Sequence, residues 1–177
     1  MVRDTVRWIR SRQTSVEGSR PEPGDIEGWF KRLQGEGDRY AGWRVFFGNH
    51  AARCANGHRW NGRGTDVGPD LSGIGKRMDR RRLLDSILQP SREVAPQYVS
   101  WTLELENGRI LSGLSLGVPG SGSVEQFLGT DGKRFELQRN TIVSCRLRTQ
   151  YIMPDNLVVN ISDDDLRDLL TLLAVEE

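Results

Sequence analysis

The strongest constraint on how this chain folds is a change of apolar period at Tyr98. From there Val99, Trp101, Leu103 and Leu105 alternate with Ser100, Thr102 and Glu104, the period of two that sends successive side chains to opposite faces of a strand. Asn107-Gly108 follows, a pair suited to a type I′ hairpin turn because both central residues of that turn need positive φ. Ile110, Ser112, Leu114 and Leu116 continue the alternation on the far side. Residues 124–128 and 133–137 around Thr130-Asp131-Gly132 predict a second hairpin, and residues 141–147 a fifth strand. Residues 96–147 are thus expected to form a small antiparallel sheet, curled toward a barrel.

Helical signals flank this segment. Asp25 can cap a helix carrying Ile26, Trp29, Phe30 and Leu33, which the glycines at Gly35 and Gly37 end. Residues 41–47 supply Trp43, Val45, Phe46 and Phe47 to a second short helix. Asp79 opens a third with Leu83, Leu84, Ile87 and Leu88 on one side, stopped soon after by Pro90. Ser162, the acidic Asp163, Asp164 and Asp165, and then Leu166, Leu169, Leu170 and Leu173 spell a capped amphipathic helix. Residues 11–24, rich in Ser, Gly, Pro and charge, read as a linker, and the Gly-rich residues 61–75 as an irregular stretch wrapped around something. The expected class is α+β: a mainly helical domain with an inserted antiparallel sheet.

With 177 residues the chain suits one domain with an insertion. A net charge of +1, from 25 basic and 24 acidic side chains, provides no overall field toward nucleic acid or anionic membranes. Two cysteines, Cys54 and Cys145, are too few for a disulfide framework, and Cys145 reads as a small buried apolar residue of the fifth strand. No apolar run approaches the roughly 20 residues of a membrane-spanning helix. Residues 1–12 place Val2, Val6 and Ile9 among arginines without the apolar core of an export signal.

Chemistry concentrates in Cys54-Ala55-Asn56-Gly57-His58. A c-type haem attachment motif is C-x-x-C-H, with two thiols bonded to the haem vinyl groups and the histidine on the iron. Gly57 stands where the second cysteine would be. Gly68-Pro69-Asp70-Leu71 follows closely, and Tyr151-Ile152-Met153-Pro154 lies far downstream. An imidazole from His58 and a thioether sulfur from Met153 would fill both axial positions of a haem iron, a pairing that raises its potential and suits electron transfer.

Taken in order, Val45-Phe46-Phe47, the Cys54 to His58 segment, Val67-Gly68-Pro69-Asp70-Leu71-Ser72, Ser86-Ile87-Leu88-Gln89-Pro90-Ser91, Ala95-Pro96-Gln97-Tyr98 and Ile152-Met153-Pro154 resemble the haem-binding domain of the planctomycete and verrucomicrobial type. That family is a class I cytochrome c-like module often found at the end of large exported dehydrogenase-like proteins. The resemblance implies an N-terminal extension over 1–24, a cytochrome c-like helical part over 25–95, an inserted β subdomain over 96–147, and the methionine segment with the closing helix over 148–177. It implies haem c, held through Cys54 or without a covalent bond, with Pro69 orienting His58 through its carbonyl, Leu71 packing on the porphyrin, and Gly62, Gly64 and Gly68 letting backbone approach it. Arg77, Arg80, Arg81 and Arg82 would be candidates for the haem propionates. Its expected location is the periplasm or cell envelope, its expected partner a dehydrogenase, fused or separate, and its role is electron relay rather than catalysis of its own. His50 has no counterpart and reads as a surface or loop residue.

Other classes of function weigh less. The β insertion could serve as a redox-silent interaction surface through its sheet edges. Nucleic-acid binding through Lys76, Arg77 and Arg80 to Arg82 has neither net charge nor a known motif behind it. A zinc site lacks a further Cys/His pair, and no hydrolytic triad, paired carboxylates or phosphate loop marks an enzyme.

Overall fold

The computed structural model describes residues 18–48, 52–118, 122–148 and 152–175. His50, Tyr151 and residues 1–12 lie outside them.

Carboxylates and one hydroxyl start the longer helices. Helix α1 (Ile26–Arg32) has Asp25 at its N-cap, accepting from Gly28 N at 2.9 Å. Helix α2 (Arg39–Phe47) begins at Asp38, which accepts from Tyr40 N and Ala41 N. The short α3 (Cys54–Gly57) carries the attachment-like motif, and α4 (Arg80–Leu88) is capped by Asp79. Helix α5 (Asp163–Leu173) starts with a full capping box between Ser162 and Asp165. Each such cap satisfies amide donors that the first helical turn leaves unpaired.

The apolar positions read from the sequence converge on one core. Trp29, Leu33, Phe46, Leu83, Leu84, Ile87, Leu88, Leu166, Leu169, Leu170 and Leu173 are all buried in it. Gly42 sets the approach of α2 to α5: a Cβ there would collide with the Asp168 carbonyl and sit 3.0 Å from Leu172 Cβ. The described end of the expected linker is tied down. Arg20 donates to Asp163 Oδ1 and to the carbonyls of Val158 and Ile161, Arg32 donates to Asp163 Oδ2 at 2.5 Å, and Trp29 Nε1 donates to the Glu22 carbonyl.

A hairpin of β1 (Arg59–Trp60) and β2 (Arg63–Gly64) follows α3 directly. Five further strands, β3 (Ser100–Leu105), β4 (Ile110–Gly117), β5 (Val124–Gly129), β6 (Arg134–Gln138) and β7 (Ile142–Leu147), form one antiparallel sheet in the order β6-β5-β4-β3-β7. A 3₁₀ turn at Arg139–Thr141 carries the chain from β6 to β7, which pairs with β3.

The expectation of a mainly helical domain is overturned. The chain is roughly 36% helix and 23% strand, with five short helices and a five-stranded sheet among the described residues. The longest of these helices has 11 residues and the shortest 4. The helices are short because caps, glycines and Pro90 interrupt them at close intervals, while the sheet receives every strand predicted from the period of two.

Four local expectations also change. At Asn107-Gly108 only Gly108 takes positive φ, and Leu105 N bonds to Arg109 O, so the connection is a three-residue loop with a left-handed glycine rather than a type I′ turn. Asn61-Gly62, expected to be irregular, has positive φ at both residues and turns the β1–β2 hairpin. Ser100, placed on the polar face by alternation, is buried because its cross-strand partner Leu114 packs with Val67 and Leu128. Cys145 lies in β7 as expected but is exposed, since β7 is an edge strand.

The α2–α5 contact is directly testable. Gly42→Ala adds about 1 kcal/mol of helix propensity, yet the clash with Asp168 is expected to give a net loss of about 1–3 kcal/mol in urea unfolding; a more stable variant would contradict this packing.

Candidate functional site

Arg53 enters α3 in the left-handed region at φ 49° and ψ 36°, and His58 N closes the turn onto the Cys54 carbonyl at 2.8 Å. Cys54 and His58 are thereby one helical turn apart on the same side of the chain. His58 itself is extended, at φ −127° and ψ 151°, and leads straight into β1.

The segment after the hairpin folds back over His58. Thr65 N donates to the His58 carbonyl at 3.3 Å, Gly68 N to the Gly57 carbonyl at 2.5 Å, and Leu71 N to the Arg59 carbonyl at 2.9 Å. Thr65 Oγ1 donates to Asn56 O and Asn61 N to Ser72 Oγ. The Gly-rich stretch does wrap around something, and that something is the histidine. Gly64 takes φ +109°, and a Cβ there would run into the His58 carbonyl; a Cβ on Gly68 would lie 2.6 Å from His58 Cε1 and 2.8 Å from Nδ1. These two glycines therefore make room for His58. Gly62 serves the hairpin turn, and its missing Cβ faces open space.

His58 Nδ1 lies 2.9 Å from the Pro69 carbonyl. A carbonyl oxygen only accepts, so Nδ1 carries the proton and donates, and in the neutral ring Nε2 is the bare lone pair. Among the described residues Nε2 has no hydrogen-bond partner. Burial lowers the imidazole pKa, partly opposed by the Pro69 hydrogen bond, so the ring is neutral near pH 7. The thiol of Cys54 is pushed up to about 12 by burial and is a protonated thiol at neutral pH rather than a thiolate.

Cys54, Gly57, His58 and Gly68 form one wall of a cavity of about 520 Å³, well within the span of small-molecule and cofactor sites. Ile152, Met153, Pro154, Asn156, Leu157 and Asn160 line the same cavity. Met153 also packs against the main core, and Ser91 Oγ donates to Asp155 Oδ1 at 2.7 Å, fastening this segment to the end of α4. Val67 and Thr130 also line the cavity. Thr130 belongs to the β5–β6 turn, so the inserted sheet supplies part of the cavity wall.

Of the expected site residues, Cys54, His58, Gly68 and Met153 come together at this cavity, and Pro69 touches it through its hydrogen bond to His58. Leu71 does not: it packs against the main core and is absent from the cavity lining. None of the four arginines reaches the lining. Arg80 donates to Thr171 Oγ1 and the Leu33 carbonyl, Arg81 pairs with Glu27, Arg77 reaches the Asp70 carbonyl, and Arg82 lies on the exposed side of α4. Helix α4, which carries Arg80, Arg81 and Arg82, is held by its leucine face to the core, which turns these arginines to solvent and to α1 and α5. Arg53, Asn56, Thr130, Asn156 and Asn160 form the polar part of the lining instead. Asn156 and Asn160 stand shortly after Met153 and were within reach of the same motif; nothing in the sequence linked Thr130 to it.

Among the described residues no group of three or more His, Cys, Asp or Glu side chains is arranged around a metal position, and no helix is long and apolar enough to cross a membrane. Compared with protein-family models and with curated proteins, the chain matches none.

The state of His58 predicts a pH dependence. In the unfolded chain the imidazole titrates at about 6.5, whereas the folded protein holds its pKa lower. As pH falls below about 6.5 the unfolded chain takes up a proton that the folded one refuses, so stability present above that pH is lost on the way down to the folded pKa. Urea titrations of the protein at pH 7 and pH 5 are expected to show a smaller loss for His58→Asn than for the unaltered chain; equal losses would sink the assignment.

Proposed function

We propose that the protein binds one haem in the cavity between His58 and Met153 and relays single electrons for a dehydrogenase partner. The observation that carries this reading is the His58 arrangement: a neutral ring on the cavity wall, its Nδ1–H committed to the Pro69 carbonyl and its Nε2 lone pair unengaged. That is the protonation state and orientation an iron ligand needs, fixed by a backbone acceptor. The presence of Met153 and Cys54 on the same cavity adds a thioether ligand and a thiol suited to covalent attachment.

A bound haem supplies a one-electron couple. The residues of this chain would hold and tune it: His58 and Met153 would supply its two ligands, the methionine raising the potential, and Val67, Ile152 and Leu157 would give it apolar surroundings. With both axial positions taken no site for a substrate remains, which fits electron relay rather than catalysis. Cys54 can give one thioether by adding its S–H across a vinyl double bond. Gly57 cannot give a second, though a Cβ at Gly57 meets nothing within 4 Å.

Two measurements test the reading. Protein produced in the cell envelope beside a haem-maturation system is expected to show a sharp reduced α-band, shifted in Met153→Ala and abolished in His58→Ala; no Soret band, even after haem is added to the purified protein, would defeat the proposal. Gly57→Cys is expected to fold normally and to raise severalfold the fraction of haem retained on a denaturing gel. No gain there would show that the missing sulfur does not limit attachment.

A further inference from the structure

We propose that the outward face of α2, together with the β1–β2 hairpin, is the docking site for an acidic protein surface, namely that of the electron-transfer partner. Helix α2 is two-sided: Ala41, Gly42 and Phe46 are buried, while Tyr40 is 80% and Trp43 39% exposed. Trp43 and Phe47 lie with ring centroids 4.9 Å apart, and the guanidinium of Arg63, reaching over from β2, stands 5.2 Å from the first ring centroid and 4.9 Å from the second. These residues, with Arg39 and Trp60, line a second cavity of about 580 Å³ on the surface.

Two features commit the occupant. Tyr, Trp and Arg are the side chains that dominate binding energy at protein interfaces, and here they are clustered and presented to solvent rather than scattered. Among the described residues the lining contains Arg39 and Arg63 but no Asp or Glu, and the neighbouring Asp38 turns its carboxylate onto the amides of Tyr40 and Ala41. The Arg63 guanidinium forms no hydrogen bond or ion pair with any described residue; its place over two rings positions its planar fork, which matches a carboxylate with two parallel N–H donors. Two arginines around an aromatic centre make a point of contact rather than the track of cations a nucleic-acid backbone needs.

The location suits the partner. Trp60 and Arg63 belong to the hairpin that starts at Arg59, the residue after His58, and Phe46 bridges the rings of Phe47, at 4.9 Å, and Trp60, at 6.0 Å. A protein seated on Trp43 is thus one hairpin away from the proposed iron ligand. That the partner is a redox protein rests on the haem reading; that the surface binds acidic protein does not.

The test uses the full chain, with and without haem, labelled with ¹⁵N. The probes are a twelve-residue peptide of Asp and Glu around one central Phe, the same peptide with Lys in place of each acid, and a twelve-nucleotide single strand of DNA. The acidic peptide is expected to shift the Trp43 indole signal, assigned with Trp43→Phe, and to bind at least fivefold more weakly to Arg63→Gln and in 0.5 M salt. The proposal is overturned by an unmoved Trp43 signal, by equal binding to Arg63→Gln, or by tighter binding of the lysine peptide or the DNA. Because the peptide is read in both haem-free and haem-loaded protein, binding without any Soret band would keep the acidic docking site and remove only the redox partner, whereas a Soret band without peptide binding would do the reverse.

Discussion

The hydrogen bond from His58 Nδ1 to the Pro69 carbonyl organises the site on which the rest of the structure converges. A buried imidazole with neither ring nitrogen paired would carry an unsatisfied donor, a cost of about 1–3 kcal/mol; pairing Nδ1 removes it and fixes the tautomer. The loop that delivers the carbonyl is held by its own backbone bonds to Gly57, His58 and Arg59, and it can lie this close only because Gly64 and Gly68 have no side chains. The histidine is therefore pre-oriented by backbone before any ligand arrives, the form of preorganisation that spares the reordering cost at binding.

The second determinant is the anchoring of segments remote in sequence. Helix α5 returns after the sheet to pack on α2, and its first residue Asp163 holds Arg20 and Arg32 from the chain's front part. Both side chains of the Arg32 pair are only 11–12% exposed. Such a pair offsets its own desolvation at best, so it specifies where the front segment lies more than it stabilises the whole. The same helix stabilises the Met153 side of the cavity, since Val158 and Ile161, which lead into it, are buried in the common core.

Gly57 departs from the attachment motif without a backbone reason. Its surroundings accept a side chain, and the turn from Cys54 to His58 is already closed. What differs is chemistry alone: one sulfur fewer, and a remaining thiol whose pKa burial has pushed up to about 12.

Local order was legible in the sequence. The period of two located the first strand pair and turn and strand residues the other three, Asp25, Asp79 and Ser162 located three helices by their caps, and the Cys54 to His58 and Met153 segments both line one cavity. These signals are written within a few residues, where propensity, caps and turns act. Tertiary packing decided the rest: that the sheet is too large for a mainly helical class, that Thr130 joins the cavity, that Leu71 goes to the core, that the arginines of α4 face away, and that Ser100 is buried while Cys145 is not. Each of those outcomes depends on which surfaces meet across tens of residues, a matter of volume and shape complementarity that no local pattern encodes.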